Sequence, residues 1–425
     1  MFLVFFGFSF SSCKKDYGNL NSPTIEDFLN NASKDELNNL VTGTESAMRI
    51  NLGLYLDDVG VIGRELYRFS TGDPRYTTDL LGASNAVLDN TGFYLTNAWA
   101  SRYRVVKNCN VLIESASNTT LLTEPEKKGY IGYAKTIKAY QLLLLLNLTG
   151  KNGIRIDVAN PENIGTVINY EAGLAAIAAL LDEAKSDLAT AEVSFTLSSG
   201  FAGFGNVAGL IKVNRSLAAR VAVYRNNWAN ALVALNESFL NLTGKFETGV
   251  YHVFSNGSGD QLNPAYFPQN QAGDVRIAHP SYVADIESND DRISKATLRT
   301  STASYQGLSS NRDVWVYKSS AAPVPIIRNE ELILIYAEAS IQAGNLIEGQ
   351  KAINIIRAGH ALVNYPGPLT KEALITEMLK QRRYSLFFEG HRWIDLRRYN
   401  RLTELSADRP GDDVWTEFPL PVTEL

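Results

Sequence analysis

Glu389, His391, Arg392, Asp395, Arg397 and Arg398 crowd into one short run, FEGHRWIDLRR. A histidine set among carboxylates and guanidinium groups has the composition of an acid–base site. Helical spacing argues for a structural ion-pair ladder instead, because Arg392 lies one turn before Asp395 and Asp395 one turn before Arg398. The remaining histidines (His252, His279 and His360) are far apart, and no HExxH pattern is present. The two cysteines, Cys13 and Cys109, make neither a disulfide framework nor a thiolate metal site. Nucleophile elbows and phosphate-cradling glycine loops are missing from the sequence. A pair of glycosidase carboxylates assembled in space stays open among 45 acidic residues. The expectation is binding without catalysis, and without cofactor or metal.

A second group of residues has a different chemistry. Between Gly244 and Pro325 the helical period disappears, and the large side chains are aromatic: Tyr251, Phe254, Tyr266, Phe267, Tyr282, Tyr305, Trp315 and Tyr317. Pyranose rings present C–H faces that stack on Trp and Tyr, and hydroxyl edges that bond to Asn, Asp and Arg. In RDVWVYK, Trp315 and Tyr317 are two apart, so a strand would show both rings on one side with Asp313 alongside. The alternative is that these rings point into the core. Gly53 to Gly92, with RFSTGDPRY at its centre, reads as a second loop region able to contact a ligand.

The elements that must position these residues are helical. Ser33 and Glu36 form a capping box ahead of a helix carrying Leu37, Leu40, Thr44 and Ala47. Leu95, Trp99, Tyr103, Val106, Asn110 and Ile113 lie on one stripe of the next helix. Thr123 and Glu126 cap a third, in which Leu142 to Leu146 is apolar on every side and reads as buried between helices. Leu174, Ile177, Leu181, Ala184 and Leu188 mark a fourth. The run from Val207 to Asn241 then reads as a tetratricopeptide repeat, with Ala219 and Ala231 small where two axes cross and Trp228 in the turn. In the C-terminal quarter, Leu332, Tyr336, Ala339 and Ala343 run beside Ile333, Ala337 and Ile341. Gly344 ends that helix, and Ala352, Ile353 and Ile356 face it from a partner. Thr370 caps a further helix with Ile375, Met378, Arg382 and Leu386 on one side, ending at Gly390.

The phrases ELILIYAEA, NIIRAG and QRRYSLFFEGHRWIDLRR, in that order, resemble the C-terminal signature of the SusD/RagB family of glycan-binding outer-membrane lipoproteins. The spacing W-x3-Y-x6-N from Trp99 is similar to that family's early helix, whereas KNGIRID after Gly150 departs from its usual Gly-x-x-Pro turn. The resemblance implies an all-α fold of tetratricopeptide-like hairpins in a right-handed superhelical scaffold, with long irregular excursions carrying the ligand surface. It implies cell-surface binding of an oligosaccharide or polysaccharide and its delivery to a TonB-dependent outer-membrane transporter. In such a protein FEGHRWIDLRR is scaffold. The site residues it points to are Trp315, Tyr317, Tyr305, Tyr76 and Trp99, with Arg75, Asn97 and Asp313 as polar contacts. Trp99 is equally placed for the core. A peptide ligand in the same kind of complex, or a protein-binding helical scaffold, are the alternatives.

The leader MFLVFFGFSFSSC fits this picture. Ten mostly apolar residues are too short for a membrane span and suit a signal peptide over residues 1–12. Ser11 and Ser12 before Cys13 resemble a lipobox, so Cys13 is the expected lipidation site and membrane anchor. No Lys or Arg precedes it, and the natural start is expected a few residues upstream. Residues 13–32 read as a tether and 33–425 as a single domain. A chain of 425 residues that is 45% hydrophobic and 20% charged can bury a sizeable core. Its net charge of −5 supplies no basic footprint, which argues against nucleic acid as a partner.

Overall fold

The computed structural model describes residues 29–424, so the leader, Cys13 and most of the tether lie outside the described residues. Helix α1 (Lys34–Met48) starts at the expected capping box, with Ser33 N donating to Glu36 Oε2 at 2.7 Å. Its inner face is Leu37, Val41 and Thr44.

Gly53 to Gly92 is not a plain loop. It opens with helix α2 (Leu52–Ile62), buried along almost its whole length, and continues into strand β1 (Leu66–Phe69). Two glycines and Asp57-Asp58 disguise the helix, although Leu52, Leu56, Val59 and Ile62 recur at helical spacing. Gly53 is required by packing: a Cβ there would lie 2.8 Å from the Pro264 carbonyl oxygen. Asp57 is buried because it faces arginine, accepting from Arg276 Nε at 2.6 Å and Nη2 at 2.8 Å.

Helices α3 (Phe93–Asn118), α4 (Glu124–Thr149), α5 (Tyr170–Leu188), α6 (Val207–Tyr224) and α7 (Trp228–Asn236) each pack on the next. Leu142 to Leu146 of α4 are all buried, as expected for a helix covered by α3 and α5. Ala219 and Ala231 have no exposed surface, which matches close packing of α6 on α7. A two-residue pair, β2 (Ile154–Arg155) with β3 (Val167–Ile168), occupies the corner that follows KNG.

The excursion from Gly244 to Pro325 is more ordered than its composition implies. Strand β4 (Gly249–His252) leads towards β5 (Val275–Ala278), the short helix α8 (Pro280–Asp285), β6 (Ala296–Tyr305), β7 (Leu308–Val314) and β8 (Val324–Arg328). An antiparallel sheet forms in the order β1-β5-β7-β6, and β4 pairs with β8. Strands β6 and β7 are rich in Ser, Thr and Arg and the others are only four or five residues long, so no run of alternating apolar residues advertises them. The sheet joins the two excursions, pairing Leu66 to Phe69 with Val275 to Ala278.

Strand β8 runs directly into α9 (Asn329–Gln342), the first helix of the C-terminal quarter. It forms the expected hairpin with α10 (Leu346–Gly359), and Ile333, Ala337, Ile341, Ile353, Ile356 and Met378 share a small second core. Helix α11 (Lys371–Ser385) is capped by Thr370 and followed, after Gly390 at φ 84°, by α12 (Arg392–Arg398). The charged cluster in FEGHRWIDLRR is structural. Asp395 accepts from Arg382 Nε at 2.7 Å and from Arg398 Nε at 3.0 Å. Arg392 is not part of that ladder and donates to Gly63 O at 2.9 Å. Burial holds the His391 imidazole down to about 4, neutral and unsuited to acid–base work near pH 7.

Candidate functional site

The turn between β1 and α3 gathers the first patch. Asp73 caps the short helical turn Pro74–Tyr76 by accepting from Arg75 N at 3.0 Å. The same carboxylate takes Arg75 Nη2 at 2.7 Å, which lowers the Asp73 pKa and holds the guanidinium 4.6 Å over the Phe93 ring. Tyr76 packs edge-on against Phe93 at 5.3 Å, and both rings are only half-buried. Asn97 is one helical turn after Phe93 and exposed, its carbonyl accepting from Asn51 Nδ2 at 3.3 Å. Arg75, Tyr76, Phe93 and Asn97 therefore make one surface.

Tyr305 forms the second patch at the end of β6. Its ring stands 5.8 Å from Phe69, and with Ser70, Gln271, Gly273 and Arg299 it lines a groove of about 200 Å³. That is small for a closed ligand pocket and suits a surface that grips an extended ligand ring by ring. The two patches adjoin, since Thr77 Oγ1 donates to Gln306 Oε1 at 2.7 Å.

Trp315 is the third aromatic. It is half-buried with its ring 6.1 Å from Tyr266, and its main-chain N–H donates to Lys295 O at 2.7 Å. A chain of contacts links it to the first patch. Arg68 lies 5.1 Å from the Tyr76 ring centroid and 4.7 Å from that of Phe267, the neighbour of Tyr266. Arg276 meets Phe267 from β5 at 4.4 Å. Cations held between acidic residues and aromatic faces fix the rings rigidly. Behind them Asp58 is wholly buried, neither carboxylate oxygen has a hydrogen-bond partner among the described residues, and burial next to Asp57 pushes its pKa well up.

Tyr317 and Asp313, expected at the surface, are in the core, and of the two places open to Trp99 the core is the one it takes. Tyr317 is 4% exposed, and its hydroxyl donates to Phe388 O at 3.0 Å. Strand β7 ends at Val314, so Trp315 and Tyr317 do not alternate as strand residues and do not share a face. Trp99 is also 4% exposed, donating through Nε1 to Glu424 Oε1 at 3.2 Å. Asp313 is buried in β7, where it pairs with Arg299 and accepts from Asn270 N at 2.7 Å. Its role is to hold a loop. Tyr266 and Phe267 belong to the aromatic group read from the sequence without being placed in the site, and Phe93 and Arg68 were not singled out. Phe93 was within reach, one turn before Asn97, whereas Arg68 and Phe267 meet only through the long-range pairing of β1 with β5.

Around this geometry stands a tetratricopeptide-type helical scaffold whose excursions carry the aromatic surface. Residues 278–416 match the family model described as SusD family. A surface glycan-binding protein A from Bacteroides thetaiotaomicron is similar at TM-score 0.72 and 14% identity, over 92% of this chain and 96% of that one. The same-named protein in complex with laminarihexaose gives 0.70 and 14%, over 92% and 97%. A SusD superfamily protein from Bacteroides vulgatus gives 0.68 and 18%, over 93% and 97%. No curated protein matches the chain. The chain is thus similar in fold to SusD superfamily proteins, and its C-terminal third carries the SusD family match.

Proposed function

We propose that the chain binds an oligosaccharide or polysaccharide at the cell surface and delivers it to a partner TonB-dependent outer-membrane transporter. One observation carries the reading: half-exposed Tyr76, Phe93, Tyr305 and Trp315 are carried by turns, the end of β6 and the first turn of α3, with Arg75 and Asn97 beside them. Open aromatic faces with polar neighbours are what sugar rings stack on. The glycan named with the solved relative, laminarihexaose, supports the same ligand class. The anchor in this reading is the acylated Cys13, which would hold the protein on the outer membrane with residues 13–32 as its tether. Among the described residues no helix is long and apolar enough to cross a membrane.

Purified protein is run through native gels containing β-1,3-, β-1,4- and α-1,4-linked glucans, mannan and xylan. Retardation by at least one is expected. Free migration through all of them, together with capture of peptides, would replace sugar by peptide as the ligand. Co-purification of a TonB-dependent transporter with the tagged protein tests the partner. Metabolic labelling with palmitate tests the anchor: wild type is expected to label and Cys13→Ala to be unlabelled and released.

A further inference from the structure

Tyr76 and Tyr305 are carried by separate elements, and a residue from a third element fixes the distance between them. The turn after β6 consists of Gln306 at φ 48° and Gly307 at φ 81°, a two-residue hairpin connection with both residues left-handed. Arg409 reaches this turn from a strap formed by residues 406–413. Its Nη1 donates to Gln306 O at 2.9 Å, and its Nη2 donates to Thr77 O at 2.5 Å. Nε donates to Asp412 Oδ1 at 3.0 Å, and the Arg409 main-chain N–H donates to Oδ2 of the same carboxylate, also at 3.0 Å. A Cβ on Gly307 would lie 3.5 Å from Arg409 Cδ, so the stem of the arginine runs along the turn.

The strap itself is held firmly. Arg64, which is 1% exposed, donates to Ser406 O at 3.1 Å and to Asp413 O at 2.7 Å, and Asp413 N donates to Leu81 O at 2.7 Å. Arg409 is thus a guanidinium anchored at Nε whose two remaining nitrogens each hold the main chain of one aromatic patch. A lysine ammonium has no planar fork and cannot serve both carbonyls and Asp412 in this geometry.

We propose that Arg409 is a positioning residue of the ligand surface, locking the Tyr305 hairpin tip onto the Tyr76 turn so that both rings grip one oligosaccharide at a fixed spacing. The inference rests on the glycan-binding reading. It gives the site a preference for chains long enough to reach both rings, because pre-set spacing removes an ordering cost that only a two-ring ligand incurs.

The test uses the whole protein with laminarihexaose, or with the longest oligosaccharide of the glucan, mannan or xylan that the wild type retains in gels. Arg409→Met keeps the stem and removes the donors. Arg409→Lys keeps the stem and the charge but cannot hold both carbonyls and Asp412, and serves if Arg409→Met does not fold. Calorimetry is expected to show about tenfold weaker binding of the oligosaccharide in either variant, with the monosaccharide unaffected. Tyr305→Ala combined with Arg409→Met is expected to bind no more weakly than Tyr305→Ala alone, and hydrogen exchange at residues 304–308 of the unliganded protein is expected to quicken. Additive losses in the double variant, unchanged affinity or unchanged exchange overturn the proposal while leaving glycan binding in place. A wild type that retains no saccharide removes the functional reading, and this inference with it.

Discussion

Arg220 and Glu331 form a buried two-point ion pair, Nε to Oε1 and Nη2 to Oε2, both at 2.6 Å, joining α6 of the repeat to α9 of the C-terminal quarter. Arg220 Nη2 also donates to Ile326 O at 2.7 Å, and the pairing lowers Glu331 to about 2 despite its burial. Arg220→Met leaves the carboxylate buried and unpaired and is expected to cost about 3–5 kcal/mol in urea unfolding. Arg220→Met with Glu331→Leu is expected to recover most of that loss, because the charge left stranded is then gone too.

The crossing of α6 and α7 is equally intolerant of volume. Ala231 is fully buried, and Ala231→Leu is expected to destabilise by about 1–3 kcal/mol through overpacking. An unchanged melting curve would mean that the helices cross elsewhere.

Stability is expected to fall as pH rises through neutrality, and Glu65 is one cause. Its carboxyl is buried and accepts from Phe388 N at 3.3 Å through Oε1, and Oε2 has no partner among the described residues. Desolvation raises its pKa from 4.5 to about 8. Between those values the unfolded chain has released a proton that the folded chain keeps, so the folded state loses ground as pH increases and the loss levels off above about 8. Melting of Glu65→Gln against wild type is expected to shift in the variant's favour from pH 5 to pH 8. A difference that does not change with pH would show that Glu65 is ionised in the folded protein.

Trp315 and Tyr317, two residues apart, are expected to fail differently. Trp315→Ala should weaken binding of a retained glycan by roughly 1–3 kcal/mol with its melting temperature nearly unchanged. Tyr317→Phe should leave affinity alone and lose about 1 kcal/mol of stability with the hydrogen bond to Phe388 O. Calorimetry beside thermal melts distinguishes the two, and a binding defect in Tyr317→Phe would return that residue to the ligand surface.

The helices were legible because their signals are local. Ser33 with Glu36, and Thr123 with Glu126, announce helix starts within four residues, and Leu332 to Ala343 repeats at 3.6. The sheet was not legible. Its pairings span about two hundred residues, from β1 to β5, and its strands carry Arg68, Arg276 and Asp313 where a pattern reader looks for Val and Ile. The site was half legible for the same reason. Tyr76, Arg75, Asn97, Tyr305 and Trp315 lie at the surface, while Tyr317, Trp99 and Asp313 are withdrawn by contacts to Phe388, Glu424 and Arg299, partners that sequence spacing does not place. An aromatic in a loop-like composition carries no mark of which way it turns.

The strap that holds Arg409 continues through residues that stitch distant parts together. Trp415 Nε1 donates to Asp79 O at 2.8 Å, Phe418 N to Leu148 O at 2.9 Å, and Arg155 Nε to Glu424 Oε2 at 2.8 Å. A ribosome makes these residues after everything they bind. The helical repeats can pair as they emerge, but the turn bearing Tyr76 and the hairpin bearing Tyr305 have to wait, unfastened, for the strap to arrive. A chain cut short before Arg409 would carry every aromatic of the surface and still lack the fastening that sets their spacing, so the strap is the last part the surface needs to be complete.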